Sequence, residues 1–315
     1  MYPDGSMLRL WVAASHLLSW VPSTSIHPSY CNLPKECASL RFNLTPEEAN
    51  STSVFKHSAD RWPVFFILCV SALDFALYFL ISNAYALSAY FFIMIIPKSQ
   101  ICAWNHHHQH APTFKNLIPN RVIEFFYALH TGVTTNLWVL HHNYGHHNNF
   151  LDQTKDESRW TRDDGKQMKE MEYSFLIAVT AYYRGYQVGK EHPKEQRVFI
   201  LYTFITFTFV IGLMAYQPMA GLFLFLLPMI TGLLMTAWAT YDHHAGLNTE
   251  NEFEASFNNL NRWYNLFTGN LGYHTAHHYK QGLHWSKLPQ LHEKIKDKIP
   301  EELIQRTWVH KRNLE

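Results

Sequence analysis

At 315 residues and a net charge of +1, the chain is long enough for one large domain or two small ones, and it carries no charge excess that would recruit nucleic acid. Its four cysteines, Cys31, Cys37, Cys69 and Cys102, form no CxxC pair, which argues against a disulfide framework and against a thiolate metal site. Mean hydropathy is mildly negative, as in a soluble protein, but the distribution of apolar residues says otherwise.

Residues 1–61 are the least informative. Leu8 to Val21 is apolar with one Arg and one His, and it lacks a clean small-residue cleavage site. It therefore reads as an interfacial helix, or as an over-extended start upstream of Met7, rather than a signal sequence. Cys31 and Cys37 read as two spare thiols. Asn43-Leu44-Thr45 and Asn50-Ser51-Thr52 match the glycosylation pattern by chance, given the orientation argued below.

From Trp62 to Pro97 the only charged residue is Asp74, and from Val198 to Tyr241 there is none. A spanning helix needs about 20 apolar residues, so each run holds two spans. Turn signals at Ser82-Asn83-Ala84 and Gln217-Pro218 divide them into two hairpins, with spans expected at 62–81, 84–101, 198–216 and 219–240. An acid at membrane depth is expensive, so Asp74 is expected to be protonated and hydrogen-bonded between helices, or to touch a substrate carboxyl. Residues 120–140 are apolar but interrupted by Glu124 and His130, which suggests a helix lying in the interface. Asp152 to Gly165 is charged and turn-like, Tyr173 to Val188 is a second amphipathic stretch, and 293–315 is a charged C-terminal helix or tail.

Thirteen of the twenty-one histidines fall in four clusters: His106-His107-His108-Gln109-His110, His141-His142-Asn143-Tyr144-Gly145-His146-His147, His243-His244 and His274-Thr275-Ala276-His277-His278. His106/His110, His142/His146 and His274/His278 are spaced i,i+4, so each cluster can aim imidazoles from one helix face. Neutral imidazole suits iron, copper and zinc alike. One such pair is commonly a surface or satisfied core feature; four clusters indicate a polynuclear metal site. Each follows a membrane exit or lies in the segments on that same side. The hairpin tips near Asn83 and Gln217 carry no Lys or Arg, whereas 98–197 carries a dozen, which makes that side cytoplasmic.

The arrangement resembles the integral-membrane fatty acid desaturase and hydroxylase superfamily, which also contains membrane alkane monooxygenases. Its histidine boxes read HxxxH or HxxxxH, then HxxHH or HxxxHH, then HxxHH, interleaved with two transmembrane hairpins. His106 and His110 match the first box, His142, His146 and His147 the second, and His274, His277 and His278 the third. Thr240-Tyr241-Asp242-His243-His244-Ala245-Gly246-Leu247 looks like the N-Y-x-x-H-Y-G-L stretch of alkane monooxygenases and picks out His244. Thr240 stands where that asparagine sits, so any asparagine-mediated link to the metal is in question.

The resemblance covers roughly 62–292. It implies an all-α membrane protein with four transmembrane helices in two hairpins and a cytoplasmic helical cap holding a histidine-box di-iron site. The nine matching histidines would bind two iron ions, with O2 as co-substrate and no catalytic residue beyond these ligands. His107, His108, His141 and His243 are left over, either orienting ligands or facing solvent. Asp152, Asp156 and Asp242 can accept a ring N–H from a ligand; Asp242 is favoured, and the other two read as readily as caps or loop residues.

The implied activity is oxygen-dependent fatty-acid desaturation, on a fatty acid or acyl thioester drawn from the membrane lipid bilayer. Oxidative decarboxylation to a terminal alkene, or fatty-acid or alkane hydroxylation, is the alternative on the same scaffold. The three histidines running in box one and Lys155-Asp156-Glu157-Ser158-Arg159 look more like bacterial free-fatty-acid members, similar to terminal-alkene-forming decarboxylases and terminal acetylenases. No GxGxxG, CxxC or His-Pro-Gly-Gly motif supplies electrons, so ferredoxin, rubredoxin or cytochrome b5 with a reductase is the implied partner. A membrane metal transporter would place polar ligands within its spans, and a zinc hydrolase would leave most of these histidines unused.

Overall fold

The computed structural model describes residues 53–308; the Leu8–Val21 stretch, Cys31, Cys37, Asn43 and Asn50 lie outside them. Among the described residues, four helices are long and apolar enough to cross a membrane. They are α1 (Arg61–Leu80), α2 (Ala84–His110), α5 (Pro193–Tyr216) and α6 (Pro218–His244). In lipid every backbone group must be satisfied internally, and apolar helices do that, α6 passing through a π-helical turn at Leu222–Leu226. Asn83 caps α2 by accepting from the Ala86 N–H at 3.1 Å, and Pro218 occupies the first turn after Gln217, where its missing N–H costs nothing.

Three spans are longer than expected, α5 by an earlier start at Pro193 and two at their far ends. α2 runs on through Pro97 to His110, and α6 reaches His244. Thus the first box and His244 sit on the spans' own last turns, not on connections beyond them.

Between the hairpins lie α3 (Leu117–Thr131), a π-helix (Val139–His147) and α4 (Glu170–Gly189). The helix expected over 120–140 stops at Thr131 because Gly132 turns left-handed at φ +67°, the usual glycine C-terminal exit. A Cβ on Gly132 would lie 2.2 Å from the Met229 carbonyl, and one on Gly232 would lie 2.6 Å from the His130 carbonyl. Reciprocal glycines therefore let α3 cross α6 at backbone contact. After α6 come β1 (Asn258–Asn259), α7 (Arg262–Thr268), α8 (His274–Tyr279) and α9 (Leu288–Ile295). The charged helix expected from 293 ends at Ile295 and continues as 3-10 turns to β2 (Ile304–Gln305), which pairs in parallel with β1. Leu288, Leu291, Ile295, Ile299 and Leu303 join one apolar cluster with Ala276, so apolar spacing within the charged stretch holds it against the third box.

The membrane core joins Tyr78, Leu87, Leu129, Val210, Phe225 and Met229. Asp74 is fully buried beside it and is met by Lys98, which from sequence reads only as a marker of the membrane boundary: Lys98 donates to its Oδ2 at 2.6 Å, and Tyr90 donates to its Oδ1 at 2.6 Å. His130 lies 3.6 Å from the same carboxylate. The cap is tied to the start of α1 by Asp60, which accepts from His284 and from the Trp285 indole, each at 2.9 Å.

Candidate metal centre

All nine histidines of the box set converge. The ligand atoms of His106, His110, His142 and His277 form one group, and those of His146, His244 and His278 a second, each within 4.8 Å. His106 and His277 approach at 3.0 Å between Nε2 atoms, and His146 and His244 at 3.3 Å. His147 joins the first group, 3.0 Å from His142, and His274 joins the second, 2.9 Å from His244. Rings of the two groups touch, with His147 stacked on His278 at 4.1 Å.

The second box shows why its spacing works. It lies on a π-helix, not an α-helix. With i→i+5 hydrogen bonding, residues five apart fall over one another, so His142 meets His147, and His146 is turned toward the second group. The α-helical reading of the His142/His146 pair is thereby corrected: those two serve different groups.

Backbone and carboxylate partners fix the rings. Asp156 accepts from His146 Nδ1 with both oxygens, at 2.8 and 2.9 Å, and the Ala255 carbonyl accepts from His244 Nδ1 at 2.9 Å. Each contact leaves Nε2 bare toward the centre. Asp156, read from sequence at least as readily as a cap or loop residue, is thus a positioning group. It is held in turn by the Ser158 N–H at 2.7 Å, and α4 secures the next residue by donating from Arg184 to the Glu157 carbonyl at 2.9 Å. Asn258 plays the matching part for the third box: its Oδ1 accepts from the Thr275 N–H at 3.0 Å and its Nδ2 donates to Thr275 Oγ1 at 2.7 Å.

The four remaining histidines are buried rather than solvent-facing. His107 bonds the Thr268 carbonyl at 3.2 Å. His108 bonds Thr113 at 2.9 Å and Glu124 at 3.2 Å. Burial raises the Glu124 pKa, but His108 and Arg121 outweigh it and hold the carboxyl below its usual range. His243 stacks on His274 at 3.8 Å. His141 lies flat against Trp138, 5.1 Å between centroids, and burial, Arg184 and His146 push its pKa down to about 3. Glu124 had been seen only as an interruption of an apolar helix; a lone acid in such a run was the available signal.

The donor set fits a pair of transition-metal ions. His110 Nε2 and both ring nitrogens of His278 are buried without a hydrogen-bonding partner, which is costly unless a cation accepts their lone pairs. Burial first, and then neighbouring imidazoles, hold His142, His147, His274, His277 and His278 well below the ordinary histidine value. They are therefore neutral, the form that binds metal. An all-imidazole set suits iron, copper or zinc.

No curated protein and no solved structure matches the chain. Residues 61–310 match the family described as fatty acid desaturase. With four membrane-length helices and its box histidines gathered in two adjoining groups, the chain belongs to the fatty acid desaturase family.

Proposed function

We propose that the protein is an oxygen-dependent fatty-acid desaturase that uses two iron ions to remove hydrogen from an acyl chain. The observation carrying this reading is the division of nine imidazoles into two touching groups, with His106, His110 and His244 at the ends of membrane helices α2 and α6. His106, His110, His142, His147 and His277 would hold one ion, and His146, His244, His274 and His278 the other. Two irons would supply O2 activation and store the electrons that breaking an unactivated C–H bond demands.

The chain's own groups orient and enclose. Asp156 and the Ala255 carbonyl lock two rings, while Trp138 and the packed cap keep bulk water out. Ligands on the last turns of α2 and α6 place the centre beside the bilayer, so the substrate is an apolar chain, a fatty acid or acyl thioester. Forming one double bond consumes one O2, two electrons and two protons and releases two waters. The electrons come from a separate ferredoxin, rubredoxin or cytochrome b5 system docking on the Lys/Arg-bearing, cytoplasmic side.

The test is metal content after purification with iron present. About two irons per chain, reduced in His146→Ala, are expected for a two-metal site. Zinc near one per chain would refute the reading. Turnover with defined fatty acids and a reductase system then separates desaturation from hydroxylation and from loss of the carboxyl group as CO2.

A further inference from the structure

Beside the centre lies a groove of about 230 Å³, lined by Gln100 of α2, by Trp263, Leu266 and Phe267 of α7, and by Trp308. It is apolar and strongly exposed: Trp263 is 61%, Leu266 66% and Trp308 48% accessible. A soluble surface would hide such a patch. Its position explains why this one does not. Ile93 and Ile96 of α2 are 71% and 62% exposed, and Gln100 continues their face by the i, i+3, i+7 rule. The groove is therefore the upper end of the stripe that α2 presents to lipid.

Trp263 and Leu266 are i,i+3 on α7, so they share a face. Arg262 stands at the head of that helix, its guanidinium 5.4 Å from the Trp263 ring centre. Tryptophans beside a basic residue, level with a span's exit, are the composition of a membrane–water boundary. The far end of α7 is fastened to the metal-bearing helix, because Thr268 accepts from His107 at 3.2 Å. A Cβ on the following Gly269 would lie 3.4 Å from both Trp104 and His107.

We propose that this groove holds an acyl chain of a phospholipid in the adjoining leaflet, with Trp263, Leu266 and Trp308 seated in the membrane interface. The proposal rests on the spans alone and holds whichever oxidation the centre performs. α7 then acts as a float beside α2, setting how deep the metal-bearing cap sits and leaving the gap next to Gln100 open sideways to lipid.

The test is photo-labelling of the full chain in vesicles of phosphatidylcholine, a fraction of which carries a diazirine in one acyl chain near the ester. Tryptic peptides covering 263–280 and 307–311 are analysed by mass spectrometry. The peptide containing Ile93 and Ile96 is the internal control for lipid contact. Adducts on Trp263, Leu266 and Trp308 as abundant as those on the control are expected. Trp263→Gln and Leu266→Gln, both at exposed positions, should each lose most of the adducts on 263–280 and leave the control unchanged. Adducts on the control without any on 263–280 or 307–311 would overturn the proposal. So would chain-to-chain cross-links through these residues that replace the lipid adducts, since a second copy would then be the occupant.

Discussion

Lys98 and Asp74 offer a quantitative test of how the spans are held together. Their side chains are 7% and 1% exposed and meet at 2.6 Å, with Tyr90 on the second carboxylate oxygen. Removing one partner of a buried pair strands the other charge and costs about 3–5 kcal/mol, whereas replacing both with apolar or neutral groups is often close to neutral. Lys98→Met leaves Asp74 with the Tyr90 hydroxyl and His130; Asp74→Asn leaves an ammonium between helices. Each single variant should therefore lose about 3 kcal/mol or more, and the double variant should regain most of it. Thermal unfolding in detergent, followed by fluorescence-detected size exclusion, gives the readout. At roughly 2–4 °C per kcal/mol, each single change should lower Tm by on the order of ten degrees and the double change by much less. A double variant whose loss equals the sum of the two singles would show that the residues are not coupled, and the reasoning would fail.

Three further outcomes are expected. Asp156→Asn keeps the shape but replaces one anionic acceptor of His146, and metal affinity, read by competition with a chelator, should fall about 10–100-fold; unchanged affinity would remove Asp156 from the positioning role. In metal-stripped protein, stability should drop as pH falls below about 6.5, because the unfolded chain then takes up protons that buried His142, His147, His274, His277 and His278 refuse. Above that pH both states are neutral and these groups contribute nothing; below it each adds a slope of up to about 1.4 kcal/mol per pH unit, a window that for His141 extends down to about pH 3. A flat denaturation midpoint from pH 7 to 5 would contradict this. Finally, Gly272→Ala would put a Cβ 2.1 Å from the Asn259 carbonyl and 2.7 Å from Asn265 Oδ1, so it should lower both metal content and Tm. Gly282→Ala meets nothing within 4 Å and serves as the control that should change neither.

The parts legible in the sequence were those written in local pattern. Uncharged runs marked the hairpins, and short histidine spacings marked the clusters, because both are properties of a few neighbouring residues. What stayed hidden depends on partners distant in the chain or on helix type. The π-helical winding of 139–147 looks like ordinary i,i+4 spacing until the backbone is seen, and only then do His142 and His146 part company. Asp156 sits in a charged loop, and nothing local distinguishes it from Asp152, whose exposed side chain only bonds its neighbours Thr154 and Lys155. Lys98 looked like a membrane-boundary cation because its partner lies a full hairpin arm away. From sequence the second span ends at 101 because the apolar run gives way there to the polar box, whereas the helix itself runs on to His110.

Because α2 and α6 are single rods from lipid to ligand, the metal centre shares the mechanical state of the bilayer. A shear of one rod against the other by a single residue's rise, about 1.5 Å, exceeds severalfold the tolerance of about 0.2 Å for a metal–ligand bond. Membranes of different thickness exert such loads through hydrophobic mismatch. The glycine crossing of α3 on α6 and the Lys98–Asp74 tie between α2 and α1 both resist sliding along the rods while leaving tilt comparatively free. They work as shear pins, converting a soft, fluctuating solvent into a fixed spacing between two groups of imidazoles.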